Sequence, residues 1–418
     1  MPDADLTLQT GNPAHGGSVV ARDDGRVVLV HYALPGETVE ARPRGKRGGV
    51  AWATAERILE SSPERVAAPC PHFGQCGGCQ WQHARYETQL EIKRKVVEDQ
   101  WSRAGLRFPP AAPVLGMADP WRYRIRGEFE AIYPAAGGFE LGFHRLRSHS
   151  VLPIRTCPLH DLRIERALGA FRQAVPELGI RGLKHVELTV EPAGLGLLWR
   201  AALEGRPAAA PGELTARVAE LLPDLVVLDD SLDYEFWGLR FRVRSDTFVQ
   251  ANYRQMQVLY QTALDQLAPT PGDAVLDLYA GIGTISLALA RRAGSVTAIE
   301  ENPQAVALGR LAVRINGVTN VEFRTGRVEK ALREVRLGAH QVALLDPPRA
   351  GLEQAAVAEL LRLGPQRIVY VSCEPSTQAR DIAALVRGGY RVRRAAIVDM
   401  FPQTYHIESV VLLERTGA

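Results

Sequence analysis

The chain lacks any long hydrophobic run. Nothing in it approaches the roughly 18 apolar residues that a bilayer-spanning helix requires, so no membrane partner is expected. The opening MPDADLTLQTG has neither a basic lead nor an apolar core and does not read as a secretory signal. A cytoplasmic location is the default expectation. A strong charge of one sign is absent too, with a net charge of only +3 over 418 residues. Nucleic-acid binding would then rest on local patches rather than on a polycationic surface. Cysteine is scarce, with five in the chain: Cys70, Cys76, Cys79, Cys157 and Cys373. So few, three of them clustered, point to metal or catalysis rather than to a disulfide scaffold. With 46% apolar and 23% charged residues, the composition is that of a globular chain long enough for two or three domains. Oligomeric state cannot be read from it, and a monomer is the default.

What is present converges on Arg367–Asp381, RIVYVSCEPSTQARD. A short apolar strand, Ile368–Val371, runs into Ser-Cys-Glu-Pro and then a helix, for which Pro375 is a good first residue. Reactive groups of an open parallel sheet sit beyond the carboxyl ends of its strands, and Cys373 stands there. A helix start favours the thiolate of such a cysteine. The alternative is a small buried side chain that happens to be cysteine.

Taken in order, residues 1–62 read as a small β-barrel. Short strands at Gly17–Val20, Val27–His31 and Val39–Ala41 are separated by Asp-Gly and Pro-Gly turns. The basic run Arg42–Arg47 then reads as a cationic loop, suited to RNA or simply solvated. Next comes Cys70-x5-Cys76-x2-Cys79, with Gly77-Gly78 allowing the backbone to turn two thiolates toward one centre. Cys157 is the only further cysteine outside the C-terminal half. Four thiolates suit structural zinc or an iron–sulfur cluster, and spacing alone leaves that choice open.

Residues 63–245 read as a central domain. A helix is expected over Trp81–Ala104. Over 121–155, Arg122, Arg124, Arg126, Arg145, Arg147 and Arg155 alternate with Trp121, Tyr123, Phe129, Tyr133, Phe139 and Phe143. That pattern fits single-stranded RNA contact and equally a sheet with one core face and one charged face. Pro207–Gly212 reads as a loop.

From residue 246 the pattern is strand and helix in alternation, an α/β doubly wound domain. Gln250 and Asn252 precede a helix, as a cap or facing a ligand. The strand Ala274–Tyr279 ends in Asp277-Leu-Tyr-Ala-Gly-Ile-Gly283, a loop that lets backbone approach a ligand. Glu300 ends the next strand, placed to grip ribose hydroxyls. The third glycine of the dinucleotide fingerprint is missing, and Asp277 would repel a pyrophosphate. A cationic methyl donor, S-adenosylmethionine, fits better than NAD. Asp346-Pro-Pro-Arg349 ends another strand, its prolines fixing the carboxylate at the sheet's edge.

Together these pieces resemble the RNA uracil-5 methyltransferases that carry an iron–sulfur cluster. The resemblance rests on the cysteine set, Phe248-x-Gln250, the Asp277–Gly283 loop, Asp346-Pro-Pro-Arg349, Ser372-Cys373-x-Pro375 and His406-x-Glu408, in the family's order along nearly the whole chain. It implies an N-terminal RNA-binding TRAM-like barrel (1–62), the cluster-bearing central domain (63–245) and an S-adenosylmethionine-dependent methyltransferase domain (246–418). It implies a [4Fe-4S] cluster on Cys70, Cys76, Cys79 and Cys157, and a donor site of Gln250, Tyr279, Glu300 and Asp346. It makes Cys373 the nucleophile and Glu408 the base. The implied substrate is RNA, ribosomal 23S RNA first and transfer RNA second, methylated at C5 of a uridine.

The residue types suit that chemistry. Uracil C5 is a poor nucleophile; a thiolate added at C6 makes it an enolate, and a base later takes the C5 proton. The target base must leave its stack. Three positions depart from the family: Glu374, Thr284 and Arg327 stand where Asn is frequent. Glu374 places a charge beside the thiol, which Arg349 or Arg380 would have to offset. Amino-group methylation of a purine and a non-catalytic RNA-binding role are the competing readings.

Overall fold

The computed structural model of the chain describes residues 5–203, 211–336 and 341–417. Five strands open the chain: β1 (Leu6–Ala14), β2 (Ser18–Asp23), β3 (Arg26–His31), β4 (Thr38–Arg47) and β5 (Val50–Glu60). They close into a barrel in the order β1-β2-β3-β5-β4, which removes exposed sheet edges. Alternate residues such as Leu8, Val19, Val28, Val30 and Val39 fill its interior. The basic run, expected as a loop, lies within β4. The turn falls instead at Gly48-Gly49, both at positive φ, where a side chain would be strained. Arg44 pairs with Glu56 at 2.5 Å and Arg42 with Asp5 at 3.1 Å.

Two elements follow, α1 (Tyr86–Arg103) and β6 (Val114–Leu115). The helix starts five residues later than Trp81 because the backbone there is engaged elsewhere: both Gln80 and Trp81 donate their N–H to the Gln403 carbonyl, each at 3.0 Å.

The next sheet has six strands: β7 (Arg126–Ile132), β8 (Glu140–His144), β9 (Val151–Pro153), then after α2 (Leu162–Glu177) β10 (Leu183–Val190) and β11 (Gly196–Leu203), and after α3 (Pro211–Leu221) β12 (Val226–Leu228). Their order is β12-β11-β10-β7-β8-β9. Phe129, Leu141, Phe171, Val186, Leu188 and Trp199 form the core between sheet and helices. Of the loop expected at Pro207–Gly212, Pro211 and Gly212 open α3, and the remainder lies outside the described residues.

A hairpin of β13 (Ser231–Phe236) and β14 (Leu239–Arg244) leads into α4 (Tyr253–Leu267). Asn252 caps that helix, its side-chain oxygen accepting from Gln255 N–H at 3.1 Å, a standard helix-start contact. Then follow β15 (Ala274–Leu278), α5 (Thr284–Ala290), β16 (Ser295–Glu300), α6 (Pro303–Ile315), β17 (Val321–Thr325), α7 (Val328–Ala331), β18 (Val342–Leu345), α8 (Gln354–Leu363), β19 (Arg367–Ser372), α9 (Pro375–Arg387), β20 (Tyr390–Val398) and β21 (Glu408–Arg415). The sheet runs β17-β16-β15-β18-β19-β21-β20-β6. Its first five strands are parallel, and β21 pairs antiparallel with β19 and β20. The runs VLDL, VALL and IVYV are buried on both faces, as parallel strands between helices require.

One edge of this sheet comes from far upstream. Strand β6 pairs parallel with β20. Val96, Val97 and Trp101 of α1 join Leu276, Ile368, Tyr370 and Leu385 in one buried cluster. The segment 86–115, grouped by sequence position with the central domain, thus packs into the C-terminal sheet. Among the described residues no helix is long and apolar enough to cross a membrane.

Candidate active site

Strand order reverses between β15 and β18, which opens a crevice at their carboxyl ends. The glycine loop leaves β15 there. Gly281 and Gly283 take positive φ, and so does Tyr279 at 64°, a conformation uncommon for a side chain with a Cβ. Glu300, at the end of β16, braces the loop: its carboxylate accepts from Gly281 N–H at 3.0 Å and from Asn302 N–H at 2.8 Å. Asp277 is buried; one carboxylate oxygen accepts from the Ser286 hydroxyl, and the other lacks a partner among the described residues. Burial pushes its carboxyl up to about 7, with Asp346 and Glu300 adding to the rise and the Ser286 bond opposing it. Asp346 leaves β18 opposite, its carboxyl also pushed up to about 7 by burial. Around the glycine loop the crevice thus gathers the carboxyls of Asp277, Glu300 and Asp346, a setting that favours a cationic ligand.

Cys373 lies half-buried where β19 meets α9. Burial raises its thiol to about 11, Glu408 and Asp346 add to the rise, and Arg349 opposes it. The Arg349 guanidinium lies beside the Cys373 sulfur and favours its ionised form. Arg349 also donates to Nδ1 of His406 at 2.8 Å. Burial and Arg349 hold His406 down to about 3, so the ring is neutral with an acceptor nitrogen for that bond. Thr377 of α9 donates its hydroxyl to the Arg349 carbonyl at 3.0 Å, which ties the Asp-Pro-Pro-Arg turn to the cysteine's helix.

Glu408 opens β21 and is buried. Burial raises its carboxyl well above the ordinary range, Asp346 adds to the rise, and Arg349 and Lys93 oppose it. Lys93 belongs to α1 and is fully buried, its Nζ 2.5 Å from Asp399 and 3.0 Å from the Phe401 carbonyl. Tyr86 donates its hydroxyl to the same aspartate at 2.8 Å. Asp399 begins the loop that leads to Glu408. Further along it, Pro402 O accepts from the Tyr123 hydroxyl at 2.9 Å and Met400 O from Asn252 at 2.9 Å. Glu408 is thus preceded by a loop pinned by α1, by Tyr123 and by Asn252.

Against that loop lies a cavity of about 370 Å³. Its walls include Cys70, Cys76, Cys79, Cys157, Arg124 and His406. All four cysteines are unbridged. Burial raises Cys79 to about 12 and Cys157 to about 11, with charge from neighbouring cysteines adding to each. Gly78 N–H points at the Cys76 sulfur at 3.4 Å. Arg124 is a half-buried cation whose buried Nε has no partner among the described residues. Among the described residues no three His, Cys, Asp or Glu side chains are arranged to hold a single metal ion. The donor set nonetheless fits a polynuclear thiolate site: four thiols around one enclosure, a backbone N–H on sulfur, and a cation against the negative charge.

The remaining expectations divide. Gln250 lines a separate small cavity of about 20 Å³ with Ile125, Tyr234 and Met256; Tyr234 in turn reaches Thr284 at the start of α5. Three of the six arginines of 121–155 form ion pairs with the chain's own carboxylates: Arg122 with Glu165, Arg126 with Glu187 and the largely exposed Arg155 with Glu140. Arg147 lies over the Trp52 ring, 4.6 Å from its centroid. Phe129 and Phe139 are core. The alternation there is mainly that of a core face and a charged face. Lys93 and His15 were not singled out from sequence. The one available signal for Lys93 was a charged residue at a helix position whose neighbours in register, Val96 and Val97, are apolar.

Comparison with known proteins agrees with this arrangement. A family profile described as tRNA (uracil-5-)-methyltransferase matches residues 220–416. An uncharacterized RNA methyltransferase of Halalkalibacterium halodurans is 34% identical, over 96% of this chain and 94% of its own. A 23S rRNA (uracil(1939)-C(5))-methyltransferase of Alkalilimnicola ehrlichii is 35% identical over 99% and 98%. The crystal structure of the Pyrococcus abyssi tRNA (uracil-54, C5)-methyltransferase, in complex with S-adenosyl-L-homocysteine, shares the fold with a TM-score of 0.76 at 24% identity, covering 98% of this chain and 100% of that one. Near-complete coverage at such identity, with the strand-end cysteine, its arginine and the buried glutamate in one crevice, shows that the chain belongs to the RNA uracil-5 methyltransferase family.

Proposed function

We propose that the chain transfers a methyl group from S-adenosylmethionine to C5 of a uridine in RNA, with 23S ribosomal RNA as the substrate. The observation that carries this reading is Cys373 held against Arg349 beside the buried Glu408. Arg349 stabilises the thiolate as it forms. The Cys373 sulfur adds to uracil C6, and the ring's electrons move to C5, which takes the methyl group. Glu408 accepts the C5 proton, the ring's electrons return, and the Cys373–C6 bond breaks. Net, one methyl group enters and one proton leaves. Glu408 must be ionised to take that proton, and once ionised a carboxylate whose proton affinity is raised by burial is a stronger acceptor than an exposed one.

The donor supplies a cationic methyl sulfonium. Tyr279, Glu300 and Asp346 border the crevice that would receive it, and Gln250, in the loop before α4, would join them as the family resemblance implies. The acidic crevice supports this choice, since a positive ligand lowers the cost of ionising Asp277 and Asp346. Cys70, Cys76, Cys79 and Cys157 would hold a [4Fe-4S] cluster in the cavity behind the Tyr405–His406 wall, with a structural role. Residues 1–62 would form the RNA-holding barrel, 63–245 the cluster-bearing domain and 246–418 the transferase domain. The rRNA preference follows the Alkalilimnicola relative.

RNA carrying 5-fluorouridine tests the reading. Fluorine at C5 cannot leave as a proton does, so the adduct is trapped after methylation. The expected result is a covalent RNA adduct with ribosomal RNA, seen by mass spectrometry after nuclease digestion, on the wild type and not on Cys373→Ala. An adduct with transfer RNA alone would move the substrate. Donor binding with no adduct on either RNA would overturn the mechanism.

A further inference from the structure

The barrel reaches into the active site. Its β1–β2 turn carries His15, whose Nε2 lies 3.2 Å from a carboxylate oxygen of Glu374, the residue after Cys373. The second Glu374 oxygen accepts from the Ser376 hydroxyl at 2.8 Å and from Ser376 N–H at 3.4 Å. Both oxygens are thereby drawn toward the barrel and the start of α9. The turn is seated firmly. The His15 ring meets Tyr405 edge-on, 5.6 Å between centroids. A Cβ placed on Gly17, at φ +83°, would lie 2.4 Å from the Gln80 side chain and 3.4 Å from Tyr405. Only glycine permits that approach.

Glu374 stands where the family frequently has a neutral asparagine, so this chain carries a carboxylate next to its nucleophile. Arg380, one cation that might have offset it, is turned to Asp381 at 2.7 Å. Arg349 serves the sulfur and His406. The charges that act on the Cys373 thiol are Glu408 and Asp346 against Arg349. His15 is the base that faces Glu374 from the barrel.

We propose that His15 is a positioning residue for the nucleophile: it holds the Glu374 carboxylate away from the Cys373 sulfur, so that the thiolate forms beside Arg349 without a third carboxylate facing it. The barrel then contributes to the chemistry directly, besides any hold it has on RNA. Without His15, Glu374 is restrained by Ser376 alone and is free to swing toward the sulfur. A carboxylate there disfavours the thiolate.

The inference rests on Cys373 being the nucleophile, and its test does not depend on methyl transfer. The full-length protein, without RNA or donor, is alkylated with iodoacetamide at about pH 8, following the Cys373 peptide by mass spectrometry. Below the thiol's midpoint the rate tracks the thiolate fraction. His15→Ala is expected to slow alkylation about 3- to 10-fold, a rise of about half to one pH unit. Glu374→Gln alone should leave the rate within about twofold. The double variant should return to the wild-type rate, because no carboxylate remains to misplace. An unchanged rate in His15→Ala overturns the proposal. So does a slow double variant, which would mean that His15 acts through its packing on Tyr405. If instead Cys373→Ser keeps methyl transfer to RNA, the assignment of the nucleophile fails, whatever the alkylation rates show.

Discussion

Two thiol sites lie on either side of the same wall, Tyr405–His406. On one side a single cysteine, Cys373, is half-buried at a strand end beside Arg349. On the other, four cysteines share a cavity with the half-buried Arg124. Both sets of thiols are pushed upward by burial, yet their charge balance differs. One sulfur against one guanidinium comes close to neutral when ionised and remains reachable from the crevice. Four sulfurs against one guanidinium do not, and need further positive charge before they ionise. The same residue type, in the same protein, meets a setting that suits attack in one place and one that suits ligation in the other, as the proposed function requires. The number of thiols per cation and their access to the crevice account for the difference.

Substitutions separate the two. Cys373→Ser should lower methyl transfer at least about a thousandfold with donor binding and melting temperature unchanged, as read by single-turnover kinetics and thermal unfolding. Cys157→Ser should do the reverse in kind: loss of bound iron and sulfide with a lower melting temperature, checked by elemental analysis and calorimetry. If Cys157→Ser cost activity alone and no stability, the contrast drawn here would collapse. Glu408→Gln should slow product release about 100-fold or more, so that a covalent complex with ordinary uridine RNA accumulates on denaturing gels.

The wall itself hangs on Lys93–Asp399. Lys93→Met leaves Asp399 buried without its cation and should cost about 3–5 kcal/mol in denaturant unfolding. The double variant with Asp399→Asn should recover part of that loss.

A further effect is one of pH. Folding raises Asp277 and Asp346 to about 7, whereas an unfolded aspartate titrates near about 3.9. Between those values the folded protein holds more protons than the unfolded chain, so unfolding releases protons and stability falls as pH rises from about 4 to about 7. Above that window the slope from these two groups vanishes. S-adenosylmethionine should flatten the fall, because a cation in the crevice favours the ionised carboxylates. Melting temperatures across this range, with and without donor, check it.

Sequence made the crevice legible and left its supports hidden, for one reason. Strand ends, glycine turns and proline-stiffened loops are local patterns, so Cys373, Glu300, Asp346 and the Gly281–Gly283 loop could be placed from their neighbours. Asn252 was read as a cap for the same reason. Lys93, His15 and Gln80 work through partners more than 300 residues away. A lysine on a helix or a histidine in a turn carries no sign of such a partner. The arginines of 121–155 left two readings open for the same reason: a basic and aromatic alternation is visible locally, whereas the carboxylates that pair with Arg122 and Arg126, Glu165 and Glu187, are not. The basic run of β4 was placed in a loop because its glycines drew the turn a few residues early.

The edge strand β6 and helix α1 have a consequence for how the molecule is made. The catalytic sheet is not one continuous stretch of chain. Its outer strand and the helix covering one face are synthesised before the central sheet, and must wait for β20 before they find their partners. During that wait Val96, Val97 and Trp101 have no core to enter. A fragment beginning at residue 246 would show the complementary defect, with the far edge of β20 and the apolar surface beneath α1 open to water. The transferase half is therefore inseparable from its N-terminal neighbour as a folding unit, and it closes only when nearly the whole chain has been made.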